Sequence, residues 1–280
     1  MNEKLKNILA CPECKSGLSE RGSKLICKKC RKNYLILDSI PVFIDKTLES
    51  EEISAGAFKT RMMRRKGLIR ARNALSPPDT TYEAREMLKE HIMKGGLVLN
   101  LGSSSKKVYP NTINIDIGKF KNVDVVGDGK KLPFKEGSFD VVLIESVLEH
   151  IDEPEMVIKE AHRVLKRGGK IYVSIPFVFV FHGSPDDFNR YTLHGLAKRL
   201  KIRGFKQIRA GILCGAGSTM NQMLRYYLSL FFSFNNEFLF SLFLNIFGWL
   251  TFWIKYTDAW LNKYKKAHQM AAAVWASGEK

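Results

Sequence analysis

From residue 97 onward, short apolar runs alternate with longer amphipathic ones. Leu97-Val-Leu-Asn-Leu101, Ile113-Asn-Ile-Asp-Ile117, Val123-Asp-Val-Val126 and Phe139-Asp-Val-Val-Leu-Ile144 have the length and β-branched content of strands. Val157, Ile158, Ala161, Val164 and Leu165 then recur at helical spacing, behind Asp152 and Glu155 at cap spacing and Pro154 in the tolerated first turn. This predicts a helix that begins near Asp152 and is stopped by Gly168-Gly169, followed by a fifth strand over Lys170–Ile175. Thr192 is placed to cap a further helix running to Arg203, with a sixth strand near Phe205–Ile212. Strands separated by helices predict βαβ units and an α/β fold, a Rossmann-like, doubly wound, mostly parallel sheet.

The pattern changes on both flanks. Residues 1–45 hold two cysteine pairs and end in the β-like runs Tyr34-Leu-Ile-Leu37 and Ile40-Pro-Val-Phe-Ile44. Residues 46–80 read as a basic linker, in which Glu49, Glu51 and Glu52 precede Lys59-Thr-Arg-Met-Met-Arg-Arg-Lys66 and Ser76-Pro-Pro-Asp79 closes the segment. Thr80 and Glu83 have capping-box spacing and open a helix through Lys94, before Gly95-Gly96. Residues 81–280 then form one catalytic-size domain. Within it, Tyr226–Ile254 carries one charge, Glu237, and Phe238–Ile254 carries none, a length at the lower limit for a bilayer span. Residues 270–278 read as a last strand beside the sixth, so the chain must return to the side it left. A helical pair over 219–266, bent at Asn235-Asn-Glu237 and entering one leaflet, meets that demand. Arg225, Lys255 and Lys263-Tyr-Lys-Lys266 would then lie among headgroups, supported by the basic segment 59–72. A buried hydrophobic lid or a dimer interface is the alternative.

Composition narrows the classes. Hydrophobic residues at 45% and charged residues at 26% exclude both a disordered tail and a polytopic membrane protein. The net charge of +17 is spread along the chain and favours a polyanion, nucleic acid or an anionic membrane surface, without choosing between them. The N-terminal Met-Asn-Glu-Lys-Leu-Lys has no apolar signal core, and paired cysteines suit a reducing compartment, so a cytosolic location is expected. Cys11-Pro-Glu-Cys14 and Cys27-Lys-Lys-Cys30 can close a tetrahedral four-thiolate zinc site, which leaves no open position for water and is therefore structural. Cys214 is expected to be a small buried hydrophobe. Leu9-Ala-Cys-Pro-Glu-Cys-Lys15, Leu25-Ile-Cys-Lys-Lys-Cys30 and Tyr34-Leu-Ile-Leu-Asp-Ser-Ile-Pro-Val-Phe43 resemble the zinc-ribbon family that includes activators of tRNA and protein methyltransferases. The resemblance implies a ribbon that binds or supports a methyltransferase.

Two carboxylates stand at strand ends, Asp116 after the second strand and Asp128 in Val126-Gly-Asp-Gly129. An acid at the end of strand two is placed for the ribose hydroxyls of an adenosine cofactor, and one after strand three for its adenine; turn-forming aspartates occupy the same kind of position. The ordered set decides between them. Leu97-Val-Leu-Asn-Leu-Gly102, Asn114-Ile-Asp116, Gly127-Asp128, Leu132-Pro-Phe-Lys-Glu-Gly-Ser-Phe-Asp140, Ser146-Val-Leu-Glu-His150 and Arg163-Val-Leu-Lys-Arg-Gly-Gly169 together resemble class I S-adenosylmethionine-dependent methyltransferases of the type-11 family, over about residues 97 to 205. The resemblance implies that Gly102 lets the backbone approach the methionine end of the cofactor. It further implies that Asp116 holds the ribose, that Asp128 holds the adenine amino group, and that Glu145 lies beside the methyl-transfer centre. The glycine-rich loop departs from that family, reading Gly102-Ser-Ser-Ser105, so Ser103 and Ser104 are expected to substitute in contacting the cofactor's amino-acid end, and the helix between strands one and two is short or missing.

On the acceptor side, His182, Asp186, Asp187, Arg190 and Tyr191 gather within ten residues after the fifth strand. The segment is similar to one in a methyltransferase subgroup associated with surface-glycan and lipid-linked metabolism. Asp187 and Arg190 equally suit an ion pair that holds the loop. His182 is the first candidate general base and His150 the second. The first expectation is thus a methyltransferase on the cytosolic face of a membrane, taking a small, lipid-linked or glycan acceptor by direct displacement at the sulfonium methyl. An rRNA or tRNA methyltransferase and a degenerate, scaffold-only fold are the alternatives.

Overall fold

The computed structural model describes residues 3–44, 86, 89, 95–103, 111–183 and 186–280. The linker over 46–80, Ser104 and Ser105, and all of the helix expected over 80–94 except Glu86 and Lys89, both helical, lie outside them.

A short helix α1 (Glu3–Ile8) leads into four strands, β1 (Leu18–Arg21), β2 (Lys24–Cys27), β3 (Asn33–Leu37) and β4 (Ile40–Val42), paired as an antiparallel meander. The second block contains β5 (Val98–Leu101), β6 (Thr112–Asp116), β7 (Val125–Val126) and β8 (Phe139–Glu145), then helix α2 (Pro154–Val164) and β9 (Leu165–Pro176). Helix α3 (Leu193–Ile202) and β10 (Lys206–Cys214) precede the hairpin α4 (Ala216–Ser233) and α5 (Glu237–Thr251). A short α6 (Asp258–Leu261) and the last strand β11 (Ala273–Glu279) complete the chain.

All described strands belong to one sheet, in the order β1-β2-β3-β4-β7-β6-β5-β8-β9-β11-β10. The cysteine-bearing meander extends the edge of the parallel sheet: β4 pairs in parallel with β7 through Val42 and Val126, and the Phe43 N–H donates to the Val126 carbonyl at 2.9 Å. Strands β5 and β8 are mostly apolar because both faces are covered, with Asn100 as the buried polar exception within β5. One face packs Leu99, Leu101, Ile115, Val142 and Ile144 with Val157, Ile158, Ala161 and Val164 of α2, and the same core takes in Leu5, Leu9, Leu25, Tyr34 and Phe43 of the N-terminal block. The other face gathers Val98, Val141, Leu143, Tyr172 and Trp275, the last two rings stacked 5.8 Å apart. The returning strand β11 inserts antiparallel between β9 and β10, as the 270–278 pattern implied.

Two local expectations are corrected. Gly168-Gly169 does not stop α2, which ends at Val164. The glycines lie inside β9, where Gly168 (φ +74°) bulges, its N–H donating to the Lys280 carbonyl while the Lys280 N–H donates to Gly169, both at 2.9 Å. The partner strand that claims these backbone groups comes from the far C-terminus, beyond the reach of a local pattern. Nor is Asp152 the cap of α2, since Glu153 holds that position without a side-chain bond. Asp152 instead accepts from the Glu153 N–H at 2.9 Å and from Lys130 at 3.0 Å. Thr192 does cap α3, accepting from the Gly195 N–H at 3.0 Å.

Helices α4 and α5 leave and rejoin the same sheet edge, for Cys214 and Ala273 are strand partners. The bend uses positive φ at Phe234 (+47°) and Asn235 (+61°), and Asn236 caps α5 by accepting from the Leu239 N–H at 3.0 Å. Small and polar residues fill the seam: Asn221, Ser229, Ser233, Gly248 and Thr251 are buried, with Asn221 Nδ2 donating to Thr251 Oγ1 at 2.9 Å. The large residues face outward, Phe231 67% and Phe234 82% exposed. Asp258 secures the base by receiving the N–H groups of Gly215 (3.0 Å) and Gly217 (2.7 Å) and the Ser218 hydroxyl (2.6 Å) at the N-terminus of α4. A Cβ at Gly217 would collide with Thr257 and the Ile254 carbonyl, so only glycine lets these elements close.

Candidate active site

The carboxyl ends of β5, β6, β7 and β8 lie side by side, with Leu101 in register with Ile115 on one side and Ile144 on the other, and Asp116 with Val126. In open α/β sheets this edge is where ligands bind. Gly102, Asp116 and Glu145 stand at its rim, and Asp128 follows β7. Gly102 has φ +69°, and a Cβ there would overlap Val147, so the backbone can pass this close to the β8 loop only as glycine. Ser103 is buried and its hydroxyl has no hydrogen-bond partner among the described residues, a polar atom suited to a ligand. Asp116 accepts from the Gly118 N–H at 3.0 Å and Asp128 from the Lys130 N–H at 2.8 Å. Both aspartates therefore shape turns. A carboxylate offers about four lone-pair sites, so the turn duty and a ligand duty are compatible. Glycine approach, an orphaned hydroxyl and two rim carboxylates are a donor set that fits an adenosyl cofactor carrying an amino-acid arm. Ser104, the other serine expected to contact that arm, lies outside the described residues.

The acceptor side is built by two loops. Leu148–His150 forms one turn of 3₁₀ helix after β8, and the segment after β9 is stitched onto it. The Glu149 carbonyl accepts from the Phe188 (2.6 Å) and Asn189 (3.2 Å) N–H groups, and Asn189 Nδ2 donates to the Ile151 carbonyl at 2.6 Å. This brings His150 and His182 together with ring centroids 4.9 Å apart. Arg190 grips Asp187 with both terminal nitrogens, and Asp187 accepts from the His182 N–H at 2.9 Å. That bidentate grip holds the Asp187 carboxyl down to about 2, so the pair orders the loop, as its alternative reading foresaw. Burial lowers the His182 pKa and nearby His150 lowers it further, against the pull of Asp187, so the ring is held neutral and able to accept a proton.

The expected pair of histidines is thus one cluster, but the sequence reading missed its third member. Glu149 is 0% exposed, and neither carboxylate oxygen has a hydrogen-bond partner among the described residues. Burial pushes its carboxyl up to about 7. Each histidine's Nε2 lies 3.9 Å from Glu149 Oε1. The signal available in the sequence was the Glu149-His150 doublet, whose meaning depends on a histidine thirty-two positions later that only the fold brings near.

At the other end of the sheet, Cys11 Sγ lies 3.6 Å from Cys30 Sγ and Cys14 Sγ 3.4 Å from Cys27 Sγ, with all four sulfurs within 4.8 Å of one another. A tetrahedron of ~2.3 Å zinc–sulfur bonds has edges of ~3.8 Å, so the set fits one structural zinc. The Tyr34 hydroxyl, 3.1 Å from Cys11 Sγ, buttresses the site. Cys214 is buried at the end of β10, away from these four.

Residues 104–173 match the methyltransferase-domain family model (Methyltransf_11), and residues 2–39 match the Trm112p-like family. An uncharacterized protein of Methanocaldococcus jannaschii is 36% identical over 146 residues, covering 45% of this chain and 71% of that protein. A UPF0434 protein of Nitrosococcus oceani is 51% identical over 47 residues, 16% of this chain and 80% of that protein. The ubiquinone/menaquinone biosynthesis C-methyltransferase UbiE of Ruegeria sp. is 43% identical over 49 residues, 18% of this chain and 20% of its own length. The chain therefore spans about a fifth of that quinone enzyme. With four clustered thiols at one end of the sheet and these two matches, the chain carries a methyltransferase domain of the S-adenosylmethionine-dependent kind and its own Trm112p-like zinc ribbon at its N-terminus.

Proposed function

We propose that this methyltransferase works at the cytosolic face of a membrane and methylates a small acceptor with an apolar or lipid-linked body. The observation that carries this reading is the inverted α4–α5 hairpin, which packs through small residues and turns Leu230, Phe231, Phe234, Phe238, Leu250 and Trp253 outward. Helices associate in this manner where the surroundings are themselves apolar. From Glu237 to Leu261 the chain is helical, long and apolar enough to cross a bilayer. Because both ends return to one sheet edge, it enters and leaves on the same side. Trp249, Trp253, Tyr256 and Trp260, with Lys255 and Lys263-Tyr-Lys-Lys266 nearby, supply the aromatic and basic residues that settle at headgroups. The hairpin also reaches toward the chemistry: Phe179 lines a small cavity with Ser218, Gln222 and Arg225 of α4, and its ring lies 5.3 Å from that of His182.

In this reading Gly102 and Ser103 receive the amino-acid end of the cofactor, Asp116 the ribose, Asp128 the adenine amino group, and Glu145 borders the transfer centre. Bound S-adenosylmethionine supplies an activated methyl on a good leaving group, so the protein's part is alignment, exclusion of water and acceptance of the acceptor's proton. His182, neutral and half-exposed, takes that proton, and His150 supports it from the adjoining turn.

Full-length protein incubated with methyl-labelled cofactor and whole-cell extract, then partitioned between organic solvent and water, tests the proposal. Label is expected in the organic phase, with Asp116→Ala lowering cofactor affinity about tenfold, the value of a lost charge-assisted hydrogen bond. Label in RNA, or in water-soluble products alone, would overturn the acceptor class. A wild-type protein that fails to bind the cofactor by calorimetry would overturn the enzymatic reading of these residues.

A further inference from the structure

The cluster of Glu149, His150 and His182 is more than a proton-accepting pair. The Asp186 carbonyl can only accept, and it lies 2.5 Å from His150 Nδ1, so that nitrogen donates and Nε2 is the one turned to the cluster. His182 turns its Nε2 toward the same glutamate, while its buried Nδ1 lies 3.7 Å from Asp187 Oδ2, beyond hydrogen-bond distance. Both imidazoles present Nε2 to the same carboxylate oxygen, and His150 also has an oxygen behind its other nitrogen, the orientation that metal-bound histidines adopt. Between them sits a fully buried carboxylate without a hydrogen-bond partner among the described residues, a costly arrangement unless something positive completes it. The ligand atoms all lie within 4.8 Å of one another. Bonds of ~2.1 Å place neighbouring ligands ~3.0–3.4 Å apart, so the 3.9 Å separations close by less than an ångström, within the reach of small side-chain rotations.

We infer that Glu149, His150 and His182 form a second metal site, a two-histidine, one-carboxylate set for a divalent first-row transition ion, distinct from the four-thiolate zinc of the ribbon. Nitrogen and oxygen donors suit such an ion, whereas the ribbon's thiolates select zinc, so the two sites differ in chemistry as well as place. Three protein ligands leave positions for water or for an oxygen of the acceptor. His182 keeps 37% of its side-chain surface exposed, whereas Glu149 keeps none. Occupied, the site would take over the proton handling assigned to His182, because a hydroxyl bound to the cation would be acidified enough to release its proton to solvent water. That clause alone rests on the methyltransferase reading. The site itself rests on the three side chains, and its test reads binding rather than turnover.

Untagged full-length protein, its ribbon saturated with zinc, is titrated with Mn2+ while free Mn2+ is followed by electron paramagnetic resonance. In parallel, bound zinc is counted after equilibrium dialysis. The expected result is one Mn2+ per chain and two zinc ions per chain, with His182→Ala and the near-isosteric Glu149→Gln each weakening the non-ribbon site at least tenfold. A rise in melting temperature on adding Mn2+ should appear in the wild type and vanish in either variant. His182→Ala is the partly exposed position and keeps the test meaningful if Glu149→Gln fails to fold. A zinc count of one with no Mn2+ uptake, or uptake unchanged in His182→Ala, would overturn the site.

Discussion

The central sheet and the α4–α5 hairpin use the same kinds of side chain in opposite places. In the sheet, Val98, Val141, Val142, Leu143 and Ile144 are all but inaccessible, and the buried Asn100 and Asn114 satisfy each other at 3.0 Å. In the hairpin the buried positions are Asn221, Ser229, Ser233, Gly248 and Thr251, while Leu230, Phe231, Phe234 and Phe238 face outward. The sheet is held by removal of apolar surface from water, a force proportional to area. That force does less for the hairpin, where Phe232 packs against Phe243 and Phe247 but much of the apolar area stays outside. Close approach of small residues, the Asn221–Thr251 hydrogen bond and the carboxylate of Asp258 also hold it. One chain therefore contains a region folded against water and another that leaves its large apolar side chains exposed, the feature on which the proposed membrane contact rests.

The ribbon lies at the water-folded extreme, and breaking it should have the largest effect. Chelation of zinc, or Cys11→Ser, removes a binding energy of the order of 10 kcal/mol that is at the same time folding energy. Leu5, Leu9, Leu25, Tyr34 and Phe43 share one core with α2 and β8, and β4 continues the parallel sheet through Val42–Val126. Loss of zinc should therefore lower the melting temperature of the catalytic half as well, monitored by near-ultraviolet circular dichroism. A ribbon that unfolds alone, leaving the tryptophan signal of Trp275 unchanged, would contradict the shared core. Next in size is Leu143→Ala, in a position 1% exposed, with an expected cost of about 2–5 kcal/mol in denaturant unfolding.

How much of this was legible depended on the range of the contacts. The parallel strands announced themselves because a strand buried on both faces must be apolar along its length, and Thr192 announced α3 because a cap acts within three residues. The cysteine pairs were legible for the same reason. The edge-to-edge union of ribbon and sheet was not, since β4 and β7 are separated by more than eighty residues and a single register pair, Val42–Val126, joins them. Gly168-Gly169 misled because the strand end that occupies them, at Lys280, lies at the other end of the chain. The catalytic-side cluster was half legible: His150 and His182 stood out as residues, whereas Glu149 gains its meaning only from burial, which a one-dimensional pattern does not carry.

Within the hairpin the polar base should matter more than the apolar exterior. Asp258→Ala strips the acceptor from the Gly215 and Gly217 N–H groups and from the Ser218 hydroxyl. Loss of a charged helix cap with several bonds should cost about 2 kcal/mol, seen as earlier protease cleavage of the 216–261 region in detergent. Asp258→Asn should recover part of it, because the amide oxygen still accepts.

The smallest expected effect is the most discriminating. Phe231→Ser and Leu230→Ser change residues that are 67% and 64% exposed. If the exterior of α4 faces lipid, neither side chain contributes to folding in detergent, and unfolding should move by less than about 0.5 kcal/mol, as for ordinary surface substitutions. The same pair of changes should weaken flotation with anionic vesicles, because each removes apolar area that the bilayer would take up. If the hairpin is instead a lid or a dimer interface, Phe231 is buried in solution, and its replacement should cost the several kcal/mol of a truncated core phenylalanine and shift the oligomeric state in sedimentation. Leu143 and Phe231 then form a matched test, two apolar residues in one chain with opposite expected outcomes. Similar losses of stability at both positions would mean that the hairpin obeys the rules of the sheet after all.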